Sequence, residues 1–451
     1  MDAQVQLFKT RLSIVSIPRS QYWLFSQGIL QLLHNVASHD LHDSDSEYEK
    51  VSGDSSDEDD DDDSRSYSSA GVGSSTMSSS RLAQSRNTDN SPTKPRTQAA
   101  GYDSDSHSQD SSIEEDDDGL FLHVAFTPDE VTVICSSSFV KSLFDQPLES
   151  KDSRAQVLPD SYLALQVGGD GLSIGKRVLE LTQPLSEAGI SIFFISNYFS
   201  DIVLIPENAR EKVVSALEVK GFHFSDISGS YMVDRTAVST PPSPSSMAPV
   251  ESSAPSSRKP SLQDSITGND LPEENLESRT FKVFKTAGIK PHVHTHAKLL
   301  ITGARSGSCS KTITTTATAL AKFPVNPPEF GSALTTESFP EYFAITRASS
   351  QEVALVLPKS HRTRSKLGFQ SKYLVGSSSD VFIPVVIDLS KLPVDSKGIV
   401  AGVASKLIHN ADLRGEAEMF EMSYLSMAKA GIVMIPRESG KFVSEVLANN
   451  L

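Results

Sequence analysis

Two stretches of the sequence, half a chain apart, repeat one another. Residues 191–209 read SIFFISNYFSDIVLIPENA, and residues 421–439 read EMSYLSMAKAGIVMIPRES. Each contains an apolar run, a short turn, a second apolar run, and Ile-Pro before a helical pattern. A repeat of this kind indicates two copies of one small supersecondary unit, and units of that size bury too little surface to be stable alone.

The residues around both repeats predict the same order of elements. Apolar alternation and helical spacing over residues 158–226 predict β-α-β-β-α followed by a short strand near Phe222–Phe224, and residues 380–451 predict a second copy. Residues 1–38 together with 119–150 predict a first module of the same type. The predicted fold class is therefore α+β, with tandem ferredoxin-like βαββαβ modules arranged in two halves.

A fourth, divergent module is predicted over residues 278–360. Its predicted strands are Phe281–Phe284, Ala297–Thr302, Tyr342–Thr346 and Val353–Leu357. In chain order this block is the third module and residues 380–451 are the fourth.

Two segments interrupt the modules and predict disorder. Residues 39–118 hold 22 acidic and 6 basic residues, which accounts for the whole net charge of −16. Such a segment cannot bury an apolar core. Serines beside its acidic residues, among them Ser55 and Ser104, are candidate sites for acid-directed kinases, but serine-rich segments also contain such matches by chance. A solubilising role is favoured for the acidic run. Residues 227–277 are rich in Ser and Pro and read as a linker.

Several classes of protein are disfavoured by composition. Outside the acidic insert the charges balance, so no basic stripe predicts nucleic-acid binding. Only Cys135 and Cys309 are present, which fits a reducing compartment, and no apolar run is long enough for a membrane span. The sequence predicts a cytoplasmic protein without a cofactor.

Motifs for enzyme chemistry are weak. No nucleophile and base stand in a catalytic spacing, and Gly168–Gly171 complete no phosphate-binding motif, so a tight turn and a ligand loop both remain open. His292, His294 and His296 alternate as on one face of a strand, which resembles metal spacing, but no Cys, Asp or Glu motif accompanies them. We predict a solvated strand face rather than a metal site, and no enzyme.

The predicted module pairing suggests a ligand site. Where two βαββαβ units meet, the loop before a helix of one unit lies beside the partner's strand. Free N–H groups at a helix N-terminus suit a carboxylate, and a small ligand held there links its binding to the arrangement of the two halves.

The sequence also resembles a known family. LSIVSIPRSQYWLF near the start, VLELTQPLSEAGISIFFISNYFSDIVLIPEN, FAITRASSQEVALVL and GIVAGVASKL are similar to the four ACT modules of the cytosolic arginine-sensor (CASTOR) family of the TOR pathway. The chain is similar to a divergent, fungal-like member. The resemblance covers most of the chain outside the insert, the linker and residues 361–379.

The resemblance implies an amino acid between the second and fourth modules. Ser191 and Ile192 match that family's ligand contacts on the second module. On the fourth module, the family's ligand positions correspond to Ser396, Met427 and Gly431, so its acidic groups are missing or shifted. Asp395, next to Ser396, is a candidate to replace one of them. The identity of the amino acid, arginine included, therefore stays open.

The resemblance further implies partners. Tyr198 and Asp201 match positions at which the family contacts a GATOR-type complex. A second copy of the chain, as a homodimer, is another partner to consider. The sequence-based hypothesis is thus a non-enzymatic amino-acid sensor in TOR-type nutrient signalling; a ligand-independent scaffold and a regulatory subunit of a biosynthetic enzyme are the alternatives.

Overall fold

Sixteen strands and nine α-helices occur in the residues that the structure describes. The computed structural model describes residues 3–48, 121–168, 176–225, 275–322, 339–369, 371–415 and 420–448, with the backbone alone at 39–48 and 371. Most of the predicted insert and linker lies in 49–120 and 226–274, outside the described residues.

The first half of the chain forms two modules. The chain begins with β1 Gln4–Leu7. The elements of module 1 are β2 Leu12–Pro18, α1 Tyr22–Tyr48, β3 Leu122–Phe126, β4 Glu130–Ser136, α2 Ser137–Leu148 and β5 Gln156–Val157. Those of module 2 are β6 Tyr162–Gly168, α3 Arg177–Glu187, β7 Phe193–Ser196, β8 Ser200–Pro206, α4 Arg210–Glu218 and β9 His223–Phe224. Strand β1 pairs with β6 of module 2 and packs there. Helix α1 continues to Tyr48 and so extends into the predicted insert.

The second half repeats this plan after an additional helix. Two elements come first, α5 Leu276–Ala287 and β10 His292–Val293. The elements of module 3 are β11 Leu299–Arg305, α6 Cys309–Ala321, β12 Phe343–Ser349, β13 Glu352–Pro358 and α7 His361–Leu367. Those of module 4 are β14 Phe382–Asp388, α8 Ile399–Leu413, β15 Ser423–Ser426, β16 Ala430–Pro436 and α9 Gly440–Ala448. Both α5 and β10 pack on module 4, where β10 pairs with β14. The predicted α+β class is confirmed.

The predicted strand at Phe281–Phe284 is wrong, because these residues lie in α5. The side chain of Asn275 caps this helix by accepting the Ser278 N–H at 2.8 Å, and Gly288 ends it with φ +65°. Phe281 and Phe284 are three residues apart and share one buried face of the helix.

The strands join into one closed sheet rather than two separate ones. Twelve strands follow the order β2-β4-β3-β12-β13-β11-β14-β16-β15-β7-β8-β6, and β6 pairs back to β2 between Tyr162 and Leu12. Within each module the order is first strand, third strand, second strand. Modules 1 and 3 join along β3 and β12, and modules 2 and 4 join where Ile195 of β7 pairs with Leu425 of β15.

Three apolar clusters follow from this closure. An inner cluster, which includes Ile14, Leu204 and Met434, fills the space enclosed by the sheet. Outside it, the helices of modules 1 and 3 cover one cluster and those of modules 2 and 4 cover another. Alternating residues of each strand thus serve the inner and outer cores in turn.

Candidate functional site

A small cavity lies where α3 of module 2 meets α8 of module 4. Its lining comes from two modules: Thr182, Ser186, Ile190 and Ile192 on one side, and Ser396, Gly398, Ile399, Val400 and Ala401 on the other. Its volume is about 20 Å³, little more than the roughly 10–15 Å³ that one water needs. The cavity as it stands is therefore too small for an amino acid.

The N-terminus of α8 faces this cavity without a capping side chain. Gly398 occupies the N-cap position with φ +76°, and its carbonyl accepts the Gly402 N–H at 2.8 Å. Ile399, Val400 and Ala401 line the cavity next to this cap. The first N–H groups of a helix have no partner within the helix and carry a partial positive charge, so this end suits an anion.

Close contacts explain why glycine stands at the helix start. A Cβ on Gly398 would lie 2.6 Å from Oγ of Ser186 and 3.0 Å from Cδ1 of Leu276. Its positive φ also disfavours any other residue. One turn later, Thr280 of α5 packs against Gly402 and donates its hydroxyl to the Gly398 carbonyl at 3.2 Å. Helices α3 and α8 thus line the cavity, and α5 packs on the first turn of α8 beside it.

The predicted ligand residues fall into two groups. Ile192 and Ser396 both line the cavity, and half-buried Ser191 precedes Ile192. Asp395 is exposed to solvent and is not among the lining residues. None of the lining side chains is ionisable, so the cavity holds no partner for a guanidinium.

Met427 and Gly431 are not among the residues that line the cavity. The side chain of Met427 packs in the inner cluster, whereas Ile192 packs against the outer one. A Cβ on Gly431 would overlap the hydroxyl of Tyr424, which occupies the space beside this residue. The ligand role of Met427 and Gly431 stays a prediction.

Asp201 is not an exposed partner contact. Its side chain is 0% exposed and forms an ion pair with Arg177, whose Nη2 also lies 3.5 Å from Oδ1. Burial is the largest influence on this carboxyl and raises its pKa, while Arg177 acts in the opposite direction. The prediction of a partner-binding Asp201 is corrected, since a buried carboxylate requires its own cation.

Tyr198 is exposed, but one edge of it packs against module 3. Tyr198 is 41% exposed, and its ring meets the ring of Phe199 at 5.0 Å and 87°. Both rings lie against Gly303 of β11, and Tyr198 also approaches Gly376. The partner role of Tyr198 stays a prediction, carried by its exposed face alone.

The three predicted histidines do cluster. The ring centroids of His292 and His294 are 4.7 Å apart, and those of His294 and His296 are 5.4 Å apart. Only His292 lies in a strand. Across the described ranges, no group of three or more His, Cys, Asp or Glu side chains has an arrangement that holds a metal.

No helix of the described ranges is long and apolar enough to cross a membrane.

Sequence reasoning missed part of the cavity lining. Thr182 and Ser186 stand four residues apart on α3 and face the cavity together, and Gly398 precedes an apolar helix. The sequence contains a pattern that could have indicated these residues. In Thr182-Gln183-Pro184-Leu185-Ser186, two hydroxyl residues stand four positions apart and so lie on one face of a helix.

Comparisons with known proteins identify one domain. Residues 157–219, which include β6 to α4 of module 2, match the family model of the ACT domain. ACT domains are generally small-ligand regulatory domains, and the match over these residues is consistent with a regulatory role. No curated protein matches the chain.

Solved structures give only distant likenesses. A crystal structure of aspartate kinase from Synechocystis is 10% identical over 73% of this chain and 49% of that one, with a TM-score of 0.25. A protein from Agrobacterium tumefaciens is 20% identical over 24% of this chain and 86% of that one, with a TM-score of 0.18. The chain thus spans about half the length of the kinase. Both TM-scores are too low to support an argument about the fold.

Proposed function

We propose that the chain is a non-enzymatic regulator whose modules 2 and 4 bind a small amino acid in the cavity between α3 and α8. The observation that carries this proposal is the uncapped N-terminus of α8, which meets the hydroxyl residues of the ACT-matched module in one cavity. The helix end would receive the ligand carboxylate. Ser396, which lines the cavity, would accept hydrogen bonds from its ammonium group through the hydroxyl or carbonyl oxygen.

The lining favours an uncharged side chain on the ligand. Ile190, Ile192 and Val400 offer apolar contact, and the nearest predicted acidic residue, Asp395, points to solvent. Burying a guanidinium without a carboxylate would cost several kcal/mol. Small neutral amino acids are therefore expected to bind better than arginine.

Binding must change the arrangement of the modules. Because the cavity holds little more than a water, a ligand fits only if α3 and α8 separate. A ligand that binds the open arrangement alone shifts the equilibrium by its own binding free energy, and a coupling of about 1–3 kcal/mol is enough for signalling. The exposed face of Tyr198 would transmit this change to a partner protein. The partner that we propose is a GATOR-type complex of TOR signalling.

Calorimetry of the full chain against the twenty amino acids tests the proposal. We expect heat with one or a few small neutral amino acids, and loss of that heat in Ile192→Trp, which fills the cavity. Val219→Trp, at an exposed site on the same module, is the matched control and should bind as the wild type does. Absence of heat with every amino acid would reject the sensor.

A ligand-independent scaffold is the second candidate. The cavity is too small for an amino acid, and the Tyr424 hydroxyl occupies the space beside Gly431 that a ligand would need. Both observations favour this candidate. A partner pull-down that is unchanged by amino acids, together with silent calorimetry, would establish this alternative.

A further inference from the structure

A groove of about 350 Å³ lies between β10 and the last turn of α9. It is lined by residues 290–293 on one side and by Ser444, Leu447 and Ala448 on the other. Its volume falls within the roughly 300–1,000 Å³ typical of ligand pockets. The groove is separate from the cavity between α3 and α8.

The corresponding place in module 2 is filled by the chain itself. There, Gly221–Phe224 follows α4, and β9 pairs in parallel with β1. The side chain of Phe222 is 1% exposed and packs in the outer cluster, and its N–H donates to the Leu217 carbonyl at 3.1 Å. One aromatic residue thus closes the edge of module 2.

The two modules correspond residue by residue around this place. Pro206 and Pro436 end equivalent strands, so Leu217 of α4 corresponds to Leu447 of α9. Leu7 pairs with Leu165 in module 2, and Val293 pairs with Val385 in module 4.

By the same correspondence, Ile289 is the counterpart of Ala3. Both are buried in the same cluster, at 3% and 0% exposure. The groove therefore occupies the position that Phe222 fills in module 2.

The free edge offers matching acceptors. In module 2 the carbonyls of Ala3 and Val5 accept the N–H groups of His223 and Ser225, each at 3.0 Å. Their counterparts are the carbonyls of Ile289 and Pro291. Within the described ranges, β14 is the one strand that pairs with β10, so its other edge is open.

Pro291 limits what can pair there. It has no N–H to return to an added strand, so one hydrogen bond of a full ladder is lost. Proline on an edge strand is a usual defence against unselective strand addition. An incoming segment must then be held mainly by a side chain in the groove, which makes the edge selective for an aromatic residue.

We propose that this groove binds an extended peptide segment of another protein, with an aromatic side chain seated on Leu447 and the main chain parallel to β10. The mode is strand addition, in which backbone hydrogen bonds orient the segment and the side-chain pocket selects it. The site is independent of the proposed amino-acid cavity.

Fluorescence anisotropy with the full chain and a labelled peptide tests this inference. The probe is Val-Lys-Gly-Phe-His-Phe-Ser, the sequence of residues 219–225. We expect saturable binding, weakened at least tenfold when the Phe222 position of the peptide is alanine. Ser444→Trp in the protein fills the groove and should weaken binding at least tenfold. Lys441→Trp, exposed on the same helix but outside the groove, should leave it within twofold.

A photoreactive group at the Phe222 position of the peptide locates the bound site. Crosslinks to Leu447 or Val293 support the proposal. Crosslinks around Leu217 would mean that the peptide displaces β9 instead, and would overturn it. Absence of binding, including through occupation of the groove by another segment of the same chain, would also overturn it, as would equal affinity for wild type and Ser444→Trp.

Discussion

His123 is a fully buried imidazole on the inner side of β3. Its neighbours Leu122 and Val124 face the outer cluster, and its Nδ1 shares a hydrogen bond of 2.8 Å with Oγ1 of Thr346. Its Nε2 is buried and has no hydrogen-bond partner among the described residues. Burial lowers the pKa of His123 to about 3, because a charged ring would lose its hydration.

Acid should therefore unfold the protein partly through His123. The unfolded chain binds a proton below its ordinary pKa of 6.5, whereas the folded chain does not until about 3. Stability is retained above pH 6.5 and lost as pH falls towards 3, by at most about 1.4 kcal/mol per pH unit. His123→Gln, which cannot titrate, should flatten this slope in urea unfolding between pH 6.5 and 4; an unchanged slope would contradict the assignment.

The buried pair Arg177 and Asp201 makes a second prediction at the residue scale. Arg177→Met would leave a buried carboxylate without its cation and should cost about 1–3 kcal/mol, less than for a fully buried pair because the Arg177 side chain is 23% exposed. Arg177→Met combined with Asp201→Asn should recover part of this loss. Urea unfolding at pH 7 measures both, and a double variant no better than the single one would exclude electrostatic coupling.

At the scale of elements, the packing of α5 on α8 depends on one glycine. A Cβ on Gly402 would overlap Oγ1 of Thr280 and lie 2.5 Å from its Cβ. Alanine at a helix interior position normally stabilises by about 1 kcal/mol relative to glycine. Here the close approach should reverse that sign.

Gly402→Ala is expected to destabilise the protein by about 1–3 kcal/mol, since the helices must move apart. Gly402→Ala with Thr280→Gly should regain stability because the overlap is removed. Gly307→Ala, where nothing lies within 4 Å, is the control and should be nearly neutral. Thermal unfolding of the four proteins measures this, and a stabilised Gly402→Ala would refute the close approach.

At the scale of the whole molecule, two turns connect the halves by different chemistry. The turn after β15 reaches module 1, where the Lys429 N–H donates to Oε2 of Glu130 at 3.2 Å and the Ala428 N–H donates to Oγ1 of Thr132 at 3.1 Å. Oε1 of Glu130 accepts the Ser16 hydroxyl at 2.7 Å. The turn after β7 instead lays Tyr198 and Phe199 on module 3, with Arg305 4.8 Å above the Phe199 ring.

Glu130→Ala should loosen the contact between modules 1 and 4. It removes the acceptor of two donors and should cost about 1–3 kcal/mol. Hydrogen exchange should then accelerate at the Lys429 amide by at least tenfold. Glu352→Ala, at the equivalent position of module 3, should leave that amide unchanged; similar acceleration in both variants would place the effect in global stability instead.

The local pattern of the sequence determined most of the elements and their repetition. Runs such as Ile202–Ile205 and Gly431–Ile435 carry their strand signal in their own side chains, and the shared Ile-Pro before a helix marks two copies of one unit. Periodicity failed at Phe281–Phe284, where two aromatic residues three apart suit either a short strand or a helix face. The cap at Asn275 and the packing on Gly402 decided for the helix.

Only the tertiary structure decided how the modules close and what they enclose. Closure of the sheet depends on edges such as β3 and β12, which meet through pairings more than 200 residues apart in sequence. Closure of the sheet also determined the surroundings of individual residues. Met427 packs in the inner core, Asp201 is buried beside Arg177, and Ile192 and Ser396 line the same cavity. Short-range periodicity carries no information about these contacts, because they follow from packing between segments that are distant along the chain.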